Sequence, residues 1–417
     1  MDCYHIQGGV PLGGEYRIKG AKNSALPVLA AAVARPGIHE IHDCPRIDDV
    51  FVMEEILQSL GASTRFEGNC LMADTRNIDN TQVPREVMSR MRSSVFLMGS
   101  LLARCGEATI TRPGGCRIGR RPIDIHIEGL KQMGFEVEIS DEEIKARGRC
   151  RGGRVRLPYP SVGATENVLM AASLAEGITI VENAAEEPEI VDLANYLNKM
   201  GAKIRGAGTD TIRIEGVKEL HGAEYTIIPD RIEAGTYMIA AAMTGGDIIV
   251  ENVLPEHQKP LIAKLREAGA LVEEDIDKVR VVGKLPLKPV AIKTLPYPGF
   301  PTDMQAQMMA MMVIAEGRSK VTETVFENRF MHVVELNRMG ANITTEGRSA
   351  VVEGPSQLTG CDVRATDLRA GAAMILAGLV AEGVTRIGDI YHIDRGYENI
   401  VDKLRNLGAE IERVNID

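Results

Sequence analysis

The sequence of 417 residues contains no tryptophan, and aromatic residues make up only 4% of it. Surfaces that bind nucleic acid by base stacking need aromatic side chains, so this sequence offers few of them. Basic residues are not in excess either, because the formal net charge is −10. No broad basic surface is therefore available to bind a nucleic acid backbone. An anionic ligand would have to be bound by a local cluster of cations.

Long apolar runs are also missing. The two longest, 26–34 and 308–315, are far too short to span a membrane, and the N-terminus lacks the pattern of a signal peptide. The seven cysteines are dispersed and contain no Cys-x-x-Cys pair, which argues against a disulfide framework or a zinc site. These observations predict a cytoplasmic protein that has no membrane partner.

Motifs for nucleotides and metals are absent as well. The sequence has no Gly-x-x-x-x-Gly-Lys loop and no Gly-x-Gly-x-x-Gly after a predicted strand. Its eight histidines do not have the spacing of metal ligands, and no acidic cluster suggests magnesium. The predicted chemistry therefore uses no metal and no cofactor.

A leucine followed four residues later by glycine recurs six times. The glycines are Gly61, Gly134, Gly201, Gly269, Gly340 and Gly408, so that successive copies lie 67 to 73 residues apart. Each copy has the pattern of an amphipathic helix that ends at a left-handed glycine cap and is followed by a strand. Periodicity of this length indicates a fold built from repeated units.

A second pattern keeps the same spacing. Six segments rich in alanine and methionine, such as 237–246 and 372–383, are apolar on nearly all sides and predict buried helices. Together the two patterns predict six units of strand, buried helix, strand, amphipathic helix and hairpin, which is a βαβαββ unit. The predicted fold class is therefore α/β.

The six units divide into two halves. Residues 13–18 (GGEYRI) are echoed 209 residues later by 222–227 (GAEYTI), and the last unit lacks the second strand of its hairpin. We expect the N-terminal segment CYHIQGG to supply that strand. The predicted domains are residues 1–20 with 228–417, and residues 21–227, with three units in each and a ligand site in the cleft between them.

The segment Arg112 to Asp124 (RPGGCRIGRRPID) concentrates positive charge around a thiol. Its four arginines would favour the thiolate of Cys116 and lower the pKa of that thiol, and its glycines let the backbone approach a ligand. Such a thiol can donate a proton or attack carbon near neutral pH. The alternative is a solvated basic loop with an incidental cysteine.

Polar residues also lie at the starts of predicted buried helices. Lys22 and Asn23 suit an anion site at a helix N-terminus, although an Asn or Ser cap with a surface lysine explains them equally well. Asp303 opens another helix, either as an N-cap or as a functional carboxylate.

Three arginines recur near helix starts in successive units, each with an acid close by. They are Arg329 in ENRF, Arg369 in ATDLRAG and Arg395 in HIDRGYENI. Their equivalent positions predict a cleft lined with arginine that binds carboxylate and phosphate. A doubly anionic small substrate such as phosphoenolpyruvate fits this prediction.

These motifs resemble those of a known enzyme family. KN at 22–23, GGCRIG at 114–119, SVGATEN at 161–167, FPTDMQAQ at 300–307, VFENRF at 325–330, DLRAG at 367–371 and DRGY at 394–397 together resemble the bacterial UDP-N-acetylglucosamine 1-carboxyvinyltransferases of the EPSP synthase superfamily. The resemblance covers essentially the whole chain. It implies a fold of two inside-out α/β barrels with three repeated units in each, in agreement with the repeat count.

The resemblance implies transfer of the enolpyruvyl group of phosphoenolpyruvate to the 3′-hydroxyl of UDP-N-acetylglucosamine, with release of phosphate. Asp303 would be the base, Cys116 a proton donor that also forms a pyruvate adduct, and Lys22 and Arg395 further catalytic residues. The implied substrate-binding residues are Lys22, Asn23, Arg92, Arg121, Pro122, Ile123, Asp124, Ile125, Ser161, Val162, Gly163, Asp303, Val325, Arg329, Arg369 and Arg395. No cofactor is implied.

The same resemblance implies the first committed step of peptidoglycan biosynthesis, and with it cell wall biogenesis, cell shape, the cell cycle and cell division. Cys116 implies alkylation by fosfomycin. The sequence departs from the family pattern at Tyr159, where some members have lysine, and at Arg117, where the residue is often small. It also lacks the tryptophan that some members have near the sugar, a role that Phe96 would take.

Three other interpretations remain open. A shikimate 3-phosphate enolpyruvyl transferase shares the six-unit fold but lacks the Gly-Gly-Cys loop. An RNA 3′-phosphate cyclase would need a nucleotidyl-accepting histidine and a more basic surface. A repeat scaffold without chemistry predicts scattered polar residues, whereas here they cluster at helix starts.

Overall fold

The computed structural model describes residues 2–90, 95–111 and 123–415. Its strands are β1 (Asp2–Gln7), β2 (Gly13–Arg17), β3 (Ile38–His42), β4 (Ser63–Glu67), β5 (Cys70–Asp74), β6 (Glu107–Thr111), β7 (Glu136–Ile139), β8 (Glu143–Arg147), β9 (Gly153–Arg156), β10 (Ile178–Glu182), β11 (Lys203–Arg205), β12 (Thr211–Glu215), β13 (Glu224–Thr226), β14 (Asp247–Glu251), β15 (Leu271–Glu274), β16 (Lys278–Val282), β17 (Ala291–Lys293), β18 (Gly317–Thr322), β19 (Ile343–Glu346), β20 (Ser349–Gly354), β21 (Asp362–Arg364), β22 (Val384–Gly388) and β23 (Glu410–Asn415). Its helices are α1 (Lys22–Ala31), α2 (Asp48–Ser59), α3 (Arg85–Arg90), α4 (Leu97–Cys105), α5 (Ile123–Gln132), α6 (Val162–Ala172), α7 (Pro188–Lys199), α8 (Arg231–Thr244), α9 (Pro255–Glu267), α10 (Gln305–Val313), α11 (His332–Arg338), α12 (Leu368–Val380), α13 (Tyr391–Asp394) and α14 (Ile400–Asn406).

The strands of the described residues form six small sheets. Five of them have four strands in the same arrangement, namely β13-β3-β5-β4, β9-β10-β12-β11, β2-β14-β16-β15, β17-β18-β20-β19 and β21-β22-β1-β23. In each, the first two strands are parallel and the other pairs are antiparallel. The sixth sheet, β6-β8-β7, has a single parallel bridge from Gln82 to Thr109 where the others have their first strand. This order confirms the predicted βαβαββ unit and the α/β class.

Strand β1 completes the hairpin of the last unit. It pairs antiparallel with β23 over its whole length, from Asp2 opposite Asn415 to Gln7 opposite Glu410. The prediction that CYHIQGG supplies the missing strand is therefore confirmed. Tyr4 and Ile6 alternate along β1 and are buried, as expected for a strand with one face on a core.

The six repeated glycines end amphipathic helices, as predicted. All six have φ between +93° and +109°, which glycine adopts without steric cost. The residue after each glycine donates its N–H to the carbonyl of a leucine five positions earlier, at 2.9 to 3.2 Å. This bond satisfies a carbonyl at the helix end, and all six leucines are buried. One local motif therefore fixes both the helix end and a core contact in every unit.

The apolar helices are buried, as predicted. They are α1, α4, α6, α8, α10 and α12, and every residue of α10 is buried. Helices α8, α10 and α12 pack against one another, and α4 packs against α1 and α6. The backbone N–H groups in the first turn of a helix have no partner within the helix. The few polar residues of these apolar helices that lie in the first turn are therefore next to free hydrogen-bond donors.

Contacts within the chain divide the described residues into two compact units. Unit 1 contains residues 2–19 and 229–415, and unit 2 contains the described residues of 20–228. Each has its own hydrophobic core. Strand β2 of unit 1 leads into α1 of unit 2, and β13 of unit 2 leads into α8 of unit 1. Among the described helices, none has both the length and the apolar character needed to cross a membrane.

Candidate active site

Asp303 of unit 1 lies between two arginines. Its Oδ1 accepts a hydrogen bond from Nη2 of Arg329 at 2.7 Å, and its Oδ2 accepts from Nη2 and Nε of Arg369 at 3.0 and 3.3 Å. The arginine side chains are 6% and 4% exposed, whereas that of Asp303 is 26% exposed. The carboxylate is therefore the part of this cluster that a ligand reaches first.

The two arginines determine the protonation state of Asp303. Burial raises the pKa of the carboxyl group, but the charges of Arg369 and Arg329 outweigh burial and hold the pKa well below its ordinary value. For Arg369, burial acts to lower the pKa, and the charge of Asp303 more than compensates, so that the guanidinium stays protonated. Asp303 is consequently an anion that accepts hydrogen bonds at neutral pH.

The cluster extends to both sides of Asp303. Nη1 of Arg329 donates to the Thr302 hydroxyl at 2.8 Å, and that hydroxyl donates to Oε2 of Glu323 at 2.9 Å. On the other side, Nη1 of Arg369 lies 3.4 Å from the Tyr397 hydroxyl. These contacts connect residues of two successive repeated units, those of the sheets β17-β18-β20-β19 and β21-β22-β1-β23.

Arg395 directly follows the short helix α13, in the same repeated unit as Arg369. The prediction that Arg329, Arg369 and Arg395 occupy equivalent positions in three successive units is therefore wrong for Arg395. The preceding residue, Asp394, accepts a hydrogen bond from Tyr4 at 2.7 Å and pairs with Arg413 at 3.2 Å. Helix α13 also lies close to α12, because a Cβ on Gly371 would come within 2.4 Å of Ile393. This packing holds the turn that carries Arg395 close to the helix that carries Arg369.

In unit 2, Lys22 pairs with Asp49 at the starts of two helices. The distance from Nζ to Oδ2 is 2.7 Å, and the side chains are only 13% and 4% exposed. Lys22 and Asn23 form the first turn of α1, and Asp49 lies in the first turn of α2, where an acid is favourable. The ammonium group is therefore held in place by a nearly buried carboxylate.

Helices α5 and α6 pack against each other in unit 2, and His126 near the start of α5 lies close to Gly163 near the start of α6. Ile123, Asp124 and Ile125 begin α5; Ser161 is the N-cap of α6, and Val162 and Gly163 follow it. Ile123, Ser161, Val162 and Gly163 are half-buried, and Ile125 is buried. The structure thus brings together two of the segments that the sequence predicted to bind the sugar nucleotide.

Gly163 allows two rings to approach α6 closely. A Cβ there would lie 2.9 Å from both Cε1 of His126 and Cε1 of Phe96. Nδ1 of His126 lies 2.8 Å from the amide nitrogen of Asn167, whose Oδ1 accepts from the N–H of Gly99 at 2.7 Å. The amide therefore donates to Nδ1, which assigns the proton of the neutral ring to Nε2.

Two of the simpler sequence interpretations are wrong. Asp303 is not an N-cap, because neither the short turn that contains it nor α10 has a side-chain cap. Helix α1 is likewise not capped by Asn23 or Ser24, since its N-cap is Ala21, and Lys22 is not a surface lysine. Asp367, by contrast, is a true cap that accepts from two backbone N–H groups of α12.

Of the remaining predicted site residues, Val325 is described by the structure and four others are not. Val325 is held by its N–H, which donates to Glu323 at 2.8 Å. Arg92, Cys116, Arg121 and Pro122 lie outside the described residues, and so does most of the loop from Arg112 to Asp124.

Sequence reasoning missed several partners that the structure reveals. Glu323 and Asp49 were not singled out, although each is an acid at the end of a strand or the start of a helix. The signal that points to both is burial of a charge, since Glu323 is 0% and Asp49 3% exposed. Buried acids are rare unless they are paired, but burial itself is not visible in a single sequence.

Among the described residues, one group has a geometry that could hold a metal ion. Ligand atoms of Glu40, His42 and Glu224 lie within 4.8 Å of one another on strands β3 and β13. Exposed acidic groups often lie together without an ion, so this group alone does not indicate a metal site.

Known proteins resemble the chain over its whole length. The family model described as EPSP synthase (3-phosphoshikimate 1-carboxyvinyltransferase) matches residues 6–404. UDP-N-acetylglucosamine 1-carboxyvinyltransferase 2 of Carboxydothermus hydrogenoformans is 58% identical, with 100% of both chains covered. UDP-N-acetylglucosamine 1-carboxyvinyltransferase 1 of Halalkalibacterium halodurans is 56% identical, covering 99% of this chain and 95% of the relative.

Solved structures agree with this similarity. The enolpyruvyl transferase NikO from Streptomyces tendae superposes with a TM-score of 0.91 at 26% identity, covering 100% of this chain and 99% of that one. EPSP synthase from Acinetobacter baumannii gives a TM-score of 0.78 at 19% identity with both chains fully covered, which shows a shared fold. The repeated units, the fold and the match from residue 6 to residue 404 together show that this chain belongs to the EPSP synthase family.

Proposed function

We propose that this protein transfers the enolpyruvyl group of phosphoenolpyruvate to the 3′-hydroxyl of UDP-N-acetylglucosamine and releases phosphate. The observation that carries the proposal is full-length identity of 53–58% with relatives named for this reaction. The solved EPSP synthases resemble the chain at only 19–20% identity. The comparison therefore favours the UDP-sugar over shikimate 3-phosphate as the acceptor.

The proposed reaction proceeds by addition and then elimination. In the addition, the 3′-oxygen forms a bond to C2 of phosphoenolpyruvate, the hydroxyl proton leaves to a base, and C3 receives a proton. In the elimination, C3 loses a proton, the double bond between C2 and C3 returns, and the bond from C2 to the phosphate oxygen breaks. Every step is a proton transfer, an addition to C2 or an elimination from it, so neither a redox cofactor nor an external energy source is needed.

Asp303 is proposed as the base for the 3′-hydroxyl. Its carboxylate is ionised and is the most exposed part of its cluster, so it can accept a hydrogen bond from the incoming hydroxyl. Its low pKa makes it a weak base while Arg329 and Arg369 remain on it. The anionic groups of phosphoenolpyruvate compete for those arginines, and each contact that they remove raises the pKa of Asp303.

The other proposed site residues supply charge and orientation. Lys22, Arg395, Arg92 and Arg121 are proposed to bind the phosphate and carboxylate groups and to stabilise the charge that develops on addition. Cys116 is proposed to donate the proton to C3 and to be the nucleophile that fosfomycin alkylates. These roles rest on the resemblance of the chain's motifs to those of the family.

The segments at α5 and α6 are proposed to bind the UDP-sugar. The backbone and side-chain groups of this proposed site come from Asn23, Pro122, Ile123 to Ile125, Ser161 to Gly163 and Val325. Free N–H groups in the first turn of a helix suit a diphosphate. In this proposal Phe96 takes the place of the tryptophan that some members have near the sugar, because its ring lies against Gly163.

The proposed biological setting follows from the reaction. We propose that the protein acts in the cytoplasm in peptidoglycan biosynthesis, and hence in cell wall biogenesis, cell shape and cell division. Its proposed partners are the two small substrates, without nucleic acid or membrane.

The test is release of phosphate from phosphoenolpyruvate, measured with UDP-N-acetylglucosamine and separately with shikimate 3-phosphate. Release only with the UDP-sugar is expected, and Asp303→Asn should lower kcat roughly 10²- to 10⁴-fold. Asp402→Asn is the matched control, because Asp402 is exposed on α14. Release with shikimate 3-phosphate alone would assign the other acceptor, and release with neither would refute the proposed function.

A second arm tests the thiol. Wild type and Cys116→Ala are incubated with fosfomycin, and the mass of each protein is measured. One added fosfomycin on wild type only is expected. Equal labelling of both proteins would remove Cys116 from the proposed site.

A further inference from the structure

We propose that Glu323 is a positioning residue for Asp303. It acts through Thr302 and Arg329, and the inference rests on the function proposed above. Glu323 directly follows β18, and its side chain is 0% exposed. A carboxylate that is removed from water needs hydrogen-bond donors on its oxygens, because an unpaired buried charge is costly. The identity of those donors indicates what the residue does.

The two carboxylate oxygens of Glu323 accept hydrogen bonds from different parts of the structure. Oε1 accepts from the N–H groups of Val325 and Phe326 at 2.8 and 3.1 Å and from the Thr294 hydroxyl at 2.8 Å. These bonds fix the backbone that follows β18, including Val325, a proposed contact of the UDP-sugar. Oε2 accepts from the Thr302 hydroxyl at 2.9 Å. One buried side chain thus joins the Val325 segment to the residue that precedes Asp303.

The bond to Glu323 sets the direction of the Thr302 hydroxyl. A hydroxyl has one proton, and a carboxylate only accepts, so the proton of Thr302 points to Glu323. A lone pair of the same oxygen is then available to Nη1 of Arg329, which lies 2.8 Å away. The hydroxyl lies between an anion and a cation, and hydrogen bonds in such a chain strengthen one another.

The planar guanidinium group of Arg329 connects the orientation of the Thr302 hydroxyl to that of Asp303. The group is planar, so placing Nη1 on Thr302 also fixes the direction of Nη2, which donates to Oδ1 of Asp303 at 2.7 Å. Arg329 is 6% exposed, so little solvent competes for these bonds. Glu323 therefore determines which lone pairs of Asp303 remain for a substrate hydroxyl, although it is separated from Asp303 by two other side chains.

The primary test uses Thr302→Val, which removes the hydroxyl with little change in volume, and Thr302→Ser, which retains it. With Thr302→Val, kcat is expected to fall roughly 10- to 100-fold, because small misplacements of a catalytic group have effects of this size. In the pH profile of kcat/KM, the fall in activity on the acid side is expected to move to higher pH. The reason is that a weaker contact with Arg329 lowers the pKa of Asp303 less. Thr302→Ser should retain both the rate and the pH profile of wild type.

Glu323→Gln tests the first residue of the hydrogen-bond series that runs from Glu323 through Thr302 and Arg329 to Asp303. An amide has one oxygen and one NH2 group, so one side of the substituted side chain must present N–H groups where the Glu323 carboxylate accepted. The same direction of change in kcat and in the acid limb is therefore expected. Thr345→Val and Glu346→Gln, at exposed positions on β19, are the matched controls and should behave like wild type.

A titration without substrate separates this inference from the proposed function. The pKa of Asp303 is measured by ¹³C NMR on protein labelled at aspartate, with Asp303→Asn to assign its signal. A higher pKa in folded Thr302→Val than in wild type supports the positioning role even if no turnover is found. An unchanged pKa in that variant overturns the role even if the enzyme proves active as proposed. Thermal unfolding of each variant verifies that it is folded.

Discussion

Arg369 directs both Nε and Nη2 to a single oxygen of Asp303, at 3.3 and 3.0 Å, and leaves the other oxygen to Arg329. Each carboxylate oxygen therefore has its own cation. The arrangement keeps the carboxylate ionised and also fixes its plane. Both effects depend on the fork of N–H groups that arginine has and lysine lacks.

Arg369→Lys is accordingly expected to impair the enzyme although the charge is conserved. The ammonium group replaces two directed donors by one, so kcat/KM should fall roughly 10- to 100-fold in the phosphate-release assay. Arg369 lowers the pKa of Asp303, so weaker pairing raises that pKa and moves the acid limb of the profile to higher pH. Arg338→Lys is the control, since Arg338 is 52% exposed. If the acid side of the pH profile is unchanged in Arg369→Lys, the claim that the fork of Arg369 holds the pKa of Asp303 low is contradicted.

Lys22→Met is expected to destabilise unit 2. It removes the ammonium group that pairs with Asp49 at 2.7 Å, and the Asp49 side chain is only 4% exposed. Loss of one partner of a buried pair costs roughly 3–5 kcal/mol in the free energy of unfolding, measured by urea titration. The double variant Lys22→Met with Asp49→Leu should recover part of that loss while activity stays low. Full additivity of the two single changes would mean that the pair is not coupled.

Gly163→Ala is expected to act on the UDP-sugar more than on phosphoenolpyruvate. The added methyl group would approach His126 and Phe96 to 2.9 Å, and the His126 ring is held by Asn167. The rings or the first turn of α6 must shift, so the KM for the UDP-sugar should rise with a smaller change in kcat. Gly13→Ala is the matched control, because Gly13 is exposed on β2 and an added Cβ there would come no closer than 3.6 Å to its neighbours. Equal increases in both KM values would argue against a role at the sugar nucleotide.

His39 should make stability depend on pH. Burial lowers its pKa from 6.5 to about 4, and its Nδ1 lies 2.6 Å from the Tyr196 hydroxyl. Between these pH values the unfolded chain binds a proton that the folded chain does not. The stability advantage of the neutral ring is complete above pH 6.5 and is lost as the pH falls toward 4.

The comparison with His39→Gln isolates this effect. The difference in unfolding free energy between wild type and the variant should shrink by about 3 kcal/mol on going from neutral pH to about pH 4. His42→Gln is the control, because the His42 side chain is 36% exposed. A difference that is constant with pH would show that His39 titrates normally.

Tyr225→Phe tests the buried carboxylate of Asp192. Burial raises the pKa of Asp192 to about 6, although hydrogen bonds from Ser24, Tyr225 and the N–H of Ile228 partly oppose this. The Tyr225 hydroxyl donates to Oδ1 at 2.6 Å. A hydrogen bond to an ionised acceptor contributes roughly 1.5–3 kcal/mol, and one to a neutral acceptor about 1.

The cost of Tyr225→Phe is therefore expected to be larger at pH 8 than at pH 5, where Asp192 is mostly protonated. Urea unfolding at the two pH values measures it, with Tyr391→Phe at a 55% exposed position as the control. A larger cost at pH 5 would reverse the assigned protonation of Asp192.

Sequence patterns predicted the repeated unit because its signals are local. A leucine and a glycine four residues apart define a helix end, and both lie within about one turn of helix. The apolar helices were equally visible, since a helix that is apolar on all sides has few alternatives to burial. The pairing of β1 with β23 was predictable for a different reason: most units showed a hairpin that the last could complete only with the N-terminal segment.

The site was only partly predictable. Arg329, Arg369 and Asp303 stood out because arginine and aspartate recur at helix starts, but their contacts join residues 26 and 66 positions apart. The capping interpretation of Asp303 was reasonable locally and wrong in the structure, because its oxygens accept from two guanidinium groups, Arg329 of the same repeated unit and Arg369 of the next. Glu323 gave no local signal, since an acid after a strand usually faces solvent.

The sequence by itself determined the α/β class, the six units, the helix ends and the residue types gathered at helix starts, because each depends on interactions between near neighbours in the chain. The tertiary structure alone decided that Lys22 pairs with Asp49, that each oxygen of Asp303 receives its own arginine, and that Thr302 connects Arg329 to Glu323. Such pairings depend on which charges are removed from water together. Packing decides that, because the cost of burying a charge is offset only by the partners that the fold brings within hydrogen-bond distance.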